Sequence, residues 1–177
     1  MARALRPVPV LHPAVWTVRA AHTPRVPRRC PRCDATRDFV SSDRFRLNAQ
    51  KRRIDVFLIY RCPDCDSTWN AEVIERATPE EIGPALYTQL QENDAATAWR
   101  CAFAVPGADL GSVLLVVERQ PPALLLPARI TLRRLDPVRF RADRLLAAEL
   151  GRSRASVSRA IADGNILVDG DTIVLLF

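Results

Sequence analysis

Apolar and polar residues alternate in "RFRLN" (residues 44–48) and again in "RIDVFLIYR" (residues 53–61), with the basic turn "AQKRR" separating them. A period of two predicts a pair of strands joined by that turn. "STWNAEVIE" (67–75) reads as a third strand. The texture then changes. In "TPEEIGPALYTQLQEN" Thr78 stands at a helix cap, Pro79 at the first helical position, and acids fill the first turn, which predicts a helix. "DAATAWRCAFAV" (94–105) predicts a second helix that turns Ala, Trp and Cys inward. "SVLLVVER" and "ARITLRRL" are strand-like, and the Pro-Pro of the intervening "QPPALLLP" forbids a continuous central strand there.

The last 39 residues, "RFRADRLLAAELGRSRASVSRAIADGNILVDGDTIVLLF", carry a different pattern. Asp143 caps or precedes a helix "RLLAAEL" that ends at Gly151. Ser153 caps a second short helix, Arg154 to about Ala162, stopped by Gly164. Val157, Ala160 and Ile161 share one face of it, so it packs on the first helix, while Ser158 and Arg159 face outward. Asp169–Gly170 signals a type I′ hairpin between "NILV" and "TIVLLF".

Composition bounds these elements. The chain has 177 residues, 48% of them apolar, enough for one medium domain or two small ones with a real core. The net charge is +6, with Lys51 the only lysine among 26 cations. Arginine usage of this kind permits a polyanionic partner without demanding one. Residues 1–29 hold six arginines and no acid, residues 30–127 are net acidic, and residues 128–177 are basic again. The Pro-rich N-terminal arm reads as a disordered basic tail or as an extended strap over the first domain, and Trp16 and Val18 give it something to bury. No stretch approaches the roughly 18 apolar residues of a membrane helix, and "PVPVLHPAVW" is a poor signal peptide. A cytoplasmic protein with reduced thiols is expected.

The cysteines sharpen the picture. Cys30/Cys33 and Cys62/Cys65 form two Cys-Pro-x-Cys pairs, each beside a strand-like segment and joined by a hairpin. Each pair can wrap one side of a tetrahedral ion, with Pro at the second position pre-setting φ for the turn. A redox pair would need a helix N-terminus to depress the thiol, which neither pair has. The odd total of five cysteines argues against a disulfide framework. Four thiolates leave no position for water, so the expected Zn2+ is structural, with Cys30, Cys33, Cys62 and Cys65 as ligands. Zinc knuckles usually place Gly after the second Cys, where φ is positive; Asp34 and Asp66 stand there, a strained but permitted choice. Cys101 lies on a helical apolar face and reads as a core residue. The fold class that follows is α+β: zinc-ribbon-like β-hairpins with added helices, then a small helix–helix–hairpin module. The corresponding segments are a basic arm (1–29), a zinc-ribbon-containing domain (30–135) and the C-terminal module (136–177).

"CPRC" followed by "FVSSDRFRLNAQKRRIDVFLIYRCPDCDSTWN" closely resembles the core of a bacterial family known as domain of unknown function number 1062, over about Trp16 to Ala104 and beyond. The resemblance implies a shared fold and a metal knuckle, and no substrate. The C-terminal run Ser153, Arg154, Ile161, Gly164, Ile166, Val168 and Gly170 is similar to the signature of the small RNA-binding domain named after ribosomal small-subunit protein four, with Asp169 replacing the usual Asn. That resemblance implies two helices and a hairpin presenting basic side chains to a structured RNA. A helix-turn-helix fits less well: Ala147, Gly151 and Val157 have its spacing and "SRASVSRAI" resembles a recognition helix, but that helix passes directly into a hairpin.

The binding residues expected are Arg152, Arg154 and Arg159, then Arg141 and Arg144, with Lys51, Arg52 and Arg53 at the ribbon turn as a second footprint or a solvated hairpin tip. Nucleic acid is the expected partner, RNA favoured over DNA, with a protein-interaction platform as the alternative. Catalysis is not expected. His12 and His22 lie in the Pro-rich arm, and no Gly-rich phosphate loop is present.

Overall fold

A computed structural model describes residues 10–177. The chain runs through β1 (His12–Ala20), β2 (Val26–Cys30), β3 (Ala35–Gln50), β4 (Arg53–Arg61), β5 (Thr68–Ala77), α1 (Pro79–Ile82), α2 (Pro84–Gln91), α3 (Ala95–Ala104), β6 (Leu115–Gln120), β7 (Ala128–Arg134), α4 (Ala142–Glu149), α5 (Arg154–Ala162), β8 (Ile166–Asp169) and β9 (Thr172–Leu175). The described residues form two compact units: residues 20–114 with 136–138, and residues 10–19, 115–135 and 139–177. The chain is therefore partitioned differently from the three sequence segments, because the partners of β1 lie more than a hundred residues downstream.

In the first unit β2-β3-β4-β5 form an antiparallel meander. The alternation in β4 does what its period demands: Ile54, Val56, Leu58 and Tyr60 are buried, and Asp55, Phe57 and Ile59 point to the other face. Phe39 and Phe45 of β3 and Ala71 of β5 join the buried face, which is covered by Ile82, Leu90, Ala98 and Ala102 of the three helices. The sequence suggested one continuous helix here, but the structure has two. Thr78 and Glu81 form a reciprocal capping box, but α1 stops at Gly83 (φ +82°) and Pro84 opens α2. Proline at 84 has no N–H to continue the ladder, so Gly83 takes the conformation a side chain resists. Asp94 caps α3 through the Thr97 N–H. Asp136 accepts from the Trp99 indole N–H and the Ala20 N–H, both at 2.7 Å, and so ties a late piece of chain into this unit.

The second unit is a five-stranded sheet ordered β6-β1-β7-β9-β8. The segment expected as a free tail or a strap over the ribbon is instead a sheet strand. β1 runs parallel to β7 with Trp16 opposite Leu132, and Trp16 and Val18 are fully buried. Residues 1–9 of the arm lie outside the described residues. Leu145, Leu146 and Ala147 of α4 and Val157 of α5 cover the face formed by Trp16, Val18, Ile130, Leu132, Ile166, Ile173 and Leu175. Ser153 caps α5 by accepting from the Ser156 N–H. The β8–β9 turn is shifted by one residue from the expected Asp169–Gly170: Asp169 pairs with Thr172, leaving Gly170–Asp171 at the tip, with only Gly170 (φ +54°) left-handed.

Asp143 does not cap α4; it is a buried carboxylate in its first turn that receives Arg141 (3.1 Å) and Arg154 (3.1 Å). Burial pushes its titration up, but the hydrogen bond from Arg154 and the charge of Arg141 outweigh this and hold it below the ordinary carboxylate range. The stabilisation is fully present above the unfolded-state value near pH 4 and is lost as pH falls through the lower folded-state value. We expect Asp143→Asn to cost about 1–3 kcal/mol at neutral pH. Denaturant unfolding of variant and wild type should converge as the pH falls through that lowered folded-state value; an acid-independent gap would show that charge is not what Asp143 supplies.

Candidate metal centre and basic surface

The two Cys pairs fall at the same end of the four-stranded meander because each follows a strand. Cys30 closes β2, Cys62 follows β4, and the β3–β4 hairpin between them returns the chain to its start. Both knuckles repeat one hexapeptide pattern, Arg-Cys-Pro-x-Cys-Asp, at Arg29–Asp34 and Arg61–Asp66. Asp34 (φ +51°) and Asp66 (φ +62°) occupy the left-handed position after each second cysteine, where Asp is among the few tolerated non-glycine residues. In each copy the Arg pairs with that Asp: Arg29 with Asp34, and Arg61 with Asp66 at 3.1 Å. The pattern thereby closes its own turn.

All four Sγ atoms lie within 4.8 Å of one another. Cys30 and Cys65 approach to 3.4 Å and Cys33 and Cys62 to 3.8 Å, so the close contacts run between knuckles. A tetrahedron with metal–sulfur bonds of 2.3 Å has sulfur–sulfur edges of about 3.8 Å. The observed spacing brackets that value, and none of the thiols is disulfide-bonded. Cys30 and Cys62 are buried while Cys33 and Cys65 are partly exposed. The donor set therefore fits one thiophilic divalent ion. Cys101 is half-buried on α3, outside the cluster, where burial pushes its thiol up.

Hydrogen bonding favours thiolate at two of the four sulfurs, Cys30 and Cys65. Hydrogen bonds from the Ser67 side chain and backbone bring Cys65 down to about 6. Burial opposes ionisation of Cys30, yet the Cys33 and Arg32 backbone N–H groups outweigh it and leave that thiol lowered. Cys33 is pushed up to about 12, chiefly by its hydrogen bond with Cys65 and by burial. Arg32 donates to the Cys65 carbonyl at 3.2 Å, and Arg37 pairs with Asp64 across the two knuckles. Arg28 lies 4.0 Å over the Trp69 ring, and Trp69 in turn packs on Tyr60. Sequence reasoning found the four sulfurs but missed this ring of Arg–Asp pairs and Ser67. The repeated Arg-Cys-Pro-x-Cys-Asp was the available signal.

The expected basic residues separate into distinct environments. Arg152 and Arg159 line one shallow cavity of roughly 350 Å3 with Ser156, Asp163, Asn165 and Phe177, and Arg152 stacks 4.5 Å over the Phe177 ring. Arg154 and Arg141 are held on Asp143. Arg144 is exposed on α4. Lys51 and Arg52 are exposed at the tip of the β3–β4 hairpin in the other unit, whereas Arg53 donates to the Arg76 carbonyl and pairs with Glu81 at 3.1 Å. His22 is half-buried, with Nδ1 on the Thr23 carbonyl at 2.8 Å and Nε2 facing the Leu114 N–H at 3.4 Å. No described helix is long and apolar enough to cross a membrane.

No curated protein and no solved structure matches the chain. A family model described as "Protein of unknown function (DUF1062)" matches residues 47–172. The match starts in β3, later than the Trp16 expected from resemblance. It includes the Cys62/Cys65 knuckle and continues through α4, α5 and β8, so the C-terminal helices and the knuckle belong to one family-wide region. On that match, which covers well over half of its length, the chain belongs to the DUF1062 family.

Proposed function

We propose that this is a zinc-stabilised, non-enzymatic nucleic-acid-binding protein of the cytoplasm whose preferred ligand is structured RNA. Zn2+ would be held by Cys30, Cys33, Cys62 and Cys65, where it supplies folding free energy, of order 10 kcal/mol in small domains, and no open coordination position. The hydrogen-bond donors to Cys30 and Cys65 support that role by stabilising negative charge on sulfur, and the Arg–Asp pairs support it by closing the two turns.

The observation that carries the binding reading is the pairing of Arg152 and Arg159 in one cavity beside Ser156 and Asn165. Two guanidinium forks with neutral hydrogen-bonding groups between them suit phosphate oxygens and sugar hydroxyls. The resemblance to the RNA-binding domain supports RNA as the ligand. A second reading, duplex DNA, is supported by topology. α4 and α5 are inserted between β7 and the β8–β9 hairpin, and β9 pairs back onto β7, which leaves α5 exposed behind a tight turn as a groove-reading helix requires.

Elemental analysis of protein purified under reducing conditions should return one zinc per chain. Cys62→Ser should lose it, with cooperative thermal unfolding of residues 20–114 displaced to much lower temperature. A fully folded, metal-free wild type would overturn the zinc assignment. Anisotropy titrations with folded RNA and duplex DNA should show the tighter binding to RNA. Arg152→Ala/Arg159→Ala should reduce the slope of log K against log salt by about 1.4–1.8, two phosphate contacts' worth. Arg154→Ala should act mainly on stability, because its partner is Asp143. Unchanged affinity and slope in the double variant would reject this surface.

A further inference from the structure

The four-stranded meander has a second face that no helix of its unit covers. Phe57 and Ile59 point there from the centre of β4, half-buried and outside the core that Val56, Leu58 and Tyr60 enter. Strand register fixes their neighbours. Arg46 of β3 and Glu72 of β5 flank Phe57, and Arg44 and Asn70 flank Ile59. Directly opposed residues share a face, so the central row reads cation, aromatic, anion. Among the described residues Arg44, Arg46 and Glu72 form no ion pair, and the one side-chain bond of Arg46 is from its Nε to Asn48 at 3.1 Å.

We propose that this face is a homodimer interface whose occupant is a second copy of the same chain. A two-fold axis lying in the interface along β4 sets Phe57 against its own counterpart. It also exchanges the flanks, so that Arg46 of one copy meets Glu72 of the other, twice. An isologous contact requires a surface complementary to itself, and a row with opposite charges on either side of an apolar centre meets that requirement. A phosphate backbone fits less well, because Glu72 and Asp55 share the face. β4 and its two neighbours, three strands spaced about 4.8 Å apart and nine residues long at β4, offer roughly 400–450 Å2 per copy. That is below the roughly 800 Å2 per partner of a standard stable complex, so the dimer is reversible and depends on concentration.

Sedimentation velocity of the full-length, metal-loaded protein over a wide dilution series tests this. The weight-average mass should rise with concentration from 19.8 kDa toward twice that value. Arg46→Glu and Glu72→Arg should each weaken self-association by roughly tenfold or more, through like-charge contacts. Mixing the two folded variants should restore association, because their opposed rows become complementary. A wild type that stays monomeric throughout overturns the interface, as does a dimer indifferent to both substitutions. If Arg46→Glu reduces nucleic-acid affinity while the mass distribution is unchanged, the face belongs to nucleic acid and the dimer is rejected.

Discussion

The convergence of four thiols from two distant turns is the constraint on which the four-stranded unit rests. Each knuckle is a short irregular turn with an aspartate in a left-handed conformation, closed locally only by an exposed Arg–Asp pair. Closing both turns around one centre, within 4.8 Å between any two sulfurs, fixes the ends of β2 and β4 relative to each other. The β3–β4 hairpin is then anchored at its open end; alternation sets the register from Arg44 to the turn, and a bulge between Ser41 and Arg44, with Asp43 at φ +56°, shifts it nearer the knuckles. The Tyr60–Trp69 pair with Arg28 over Trp69 sits directly behind this end. Metal geometry and aromatic packing therefore reinforce the same corner of the sheet.

The same locality explains what could be read from the sequence. The knuckles, the β3–β4–β5 strands, the Thr78 and Ser153 caps and the α4–α5 pair each depend on residues within a few positions of one another, and their patterns were legible. Even Asp34 and Asp66 could be assigned a positive φ from their place after the second cysteine. The parallel pairing of β1 with β7 was not legible. Its partners are separated by more than a hundred residues, and the Pro-rich composition around Trp16 and Val18 resembles a tail. Parallel pairing leaves no turn signature, because the crossover here is an entire folded unit. Gly83–Pro84 misled for the opposite reason: the capping box was so well formed that the break behind it was read through.

Arginine abundance gave a net charge but not a charge distribution, and here the structure changes the argument most. Arg29, Arg37 and Arg61 are held by aspartates at the knuckles, Arg53 by Glu81, Arg134 by Asp171, and Arg141 with Arg154 by Asp143. These side chains are engaged within the fold, and counting them toward a polyanion footprint overstates it. Arg152 and Arg159 differ, since among the residues lining their shared cavity the one acidic side chain is Asp163. A guanidinium already bound to a carboxylate has fewer donors and a partly neutralised charge to offer a phosphate, whereas one stacked on an aromatic ring keeps its edge donors free. The stacking of Arg152 over Phe177 orients its fork without consuming it. Binding capacity in this chain is therefore set by which arginines the aspartates leave over, and that is decided by tertiary contacts that composition cannot report.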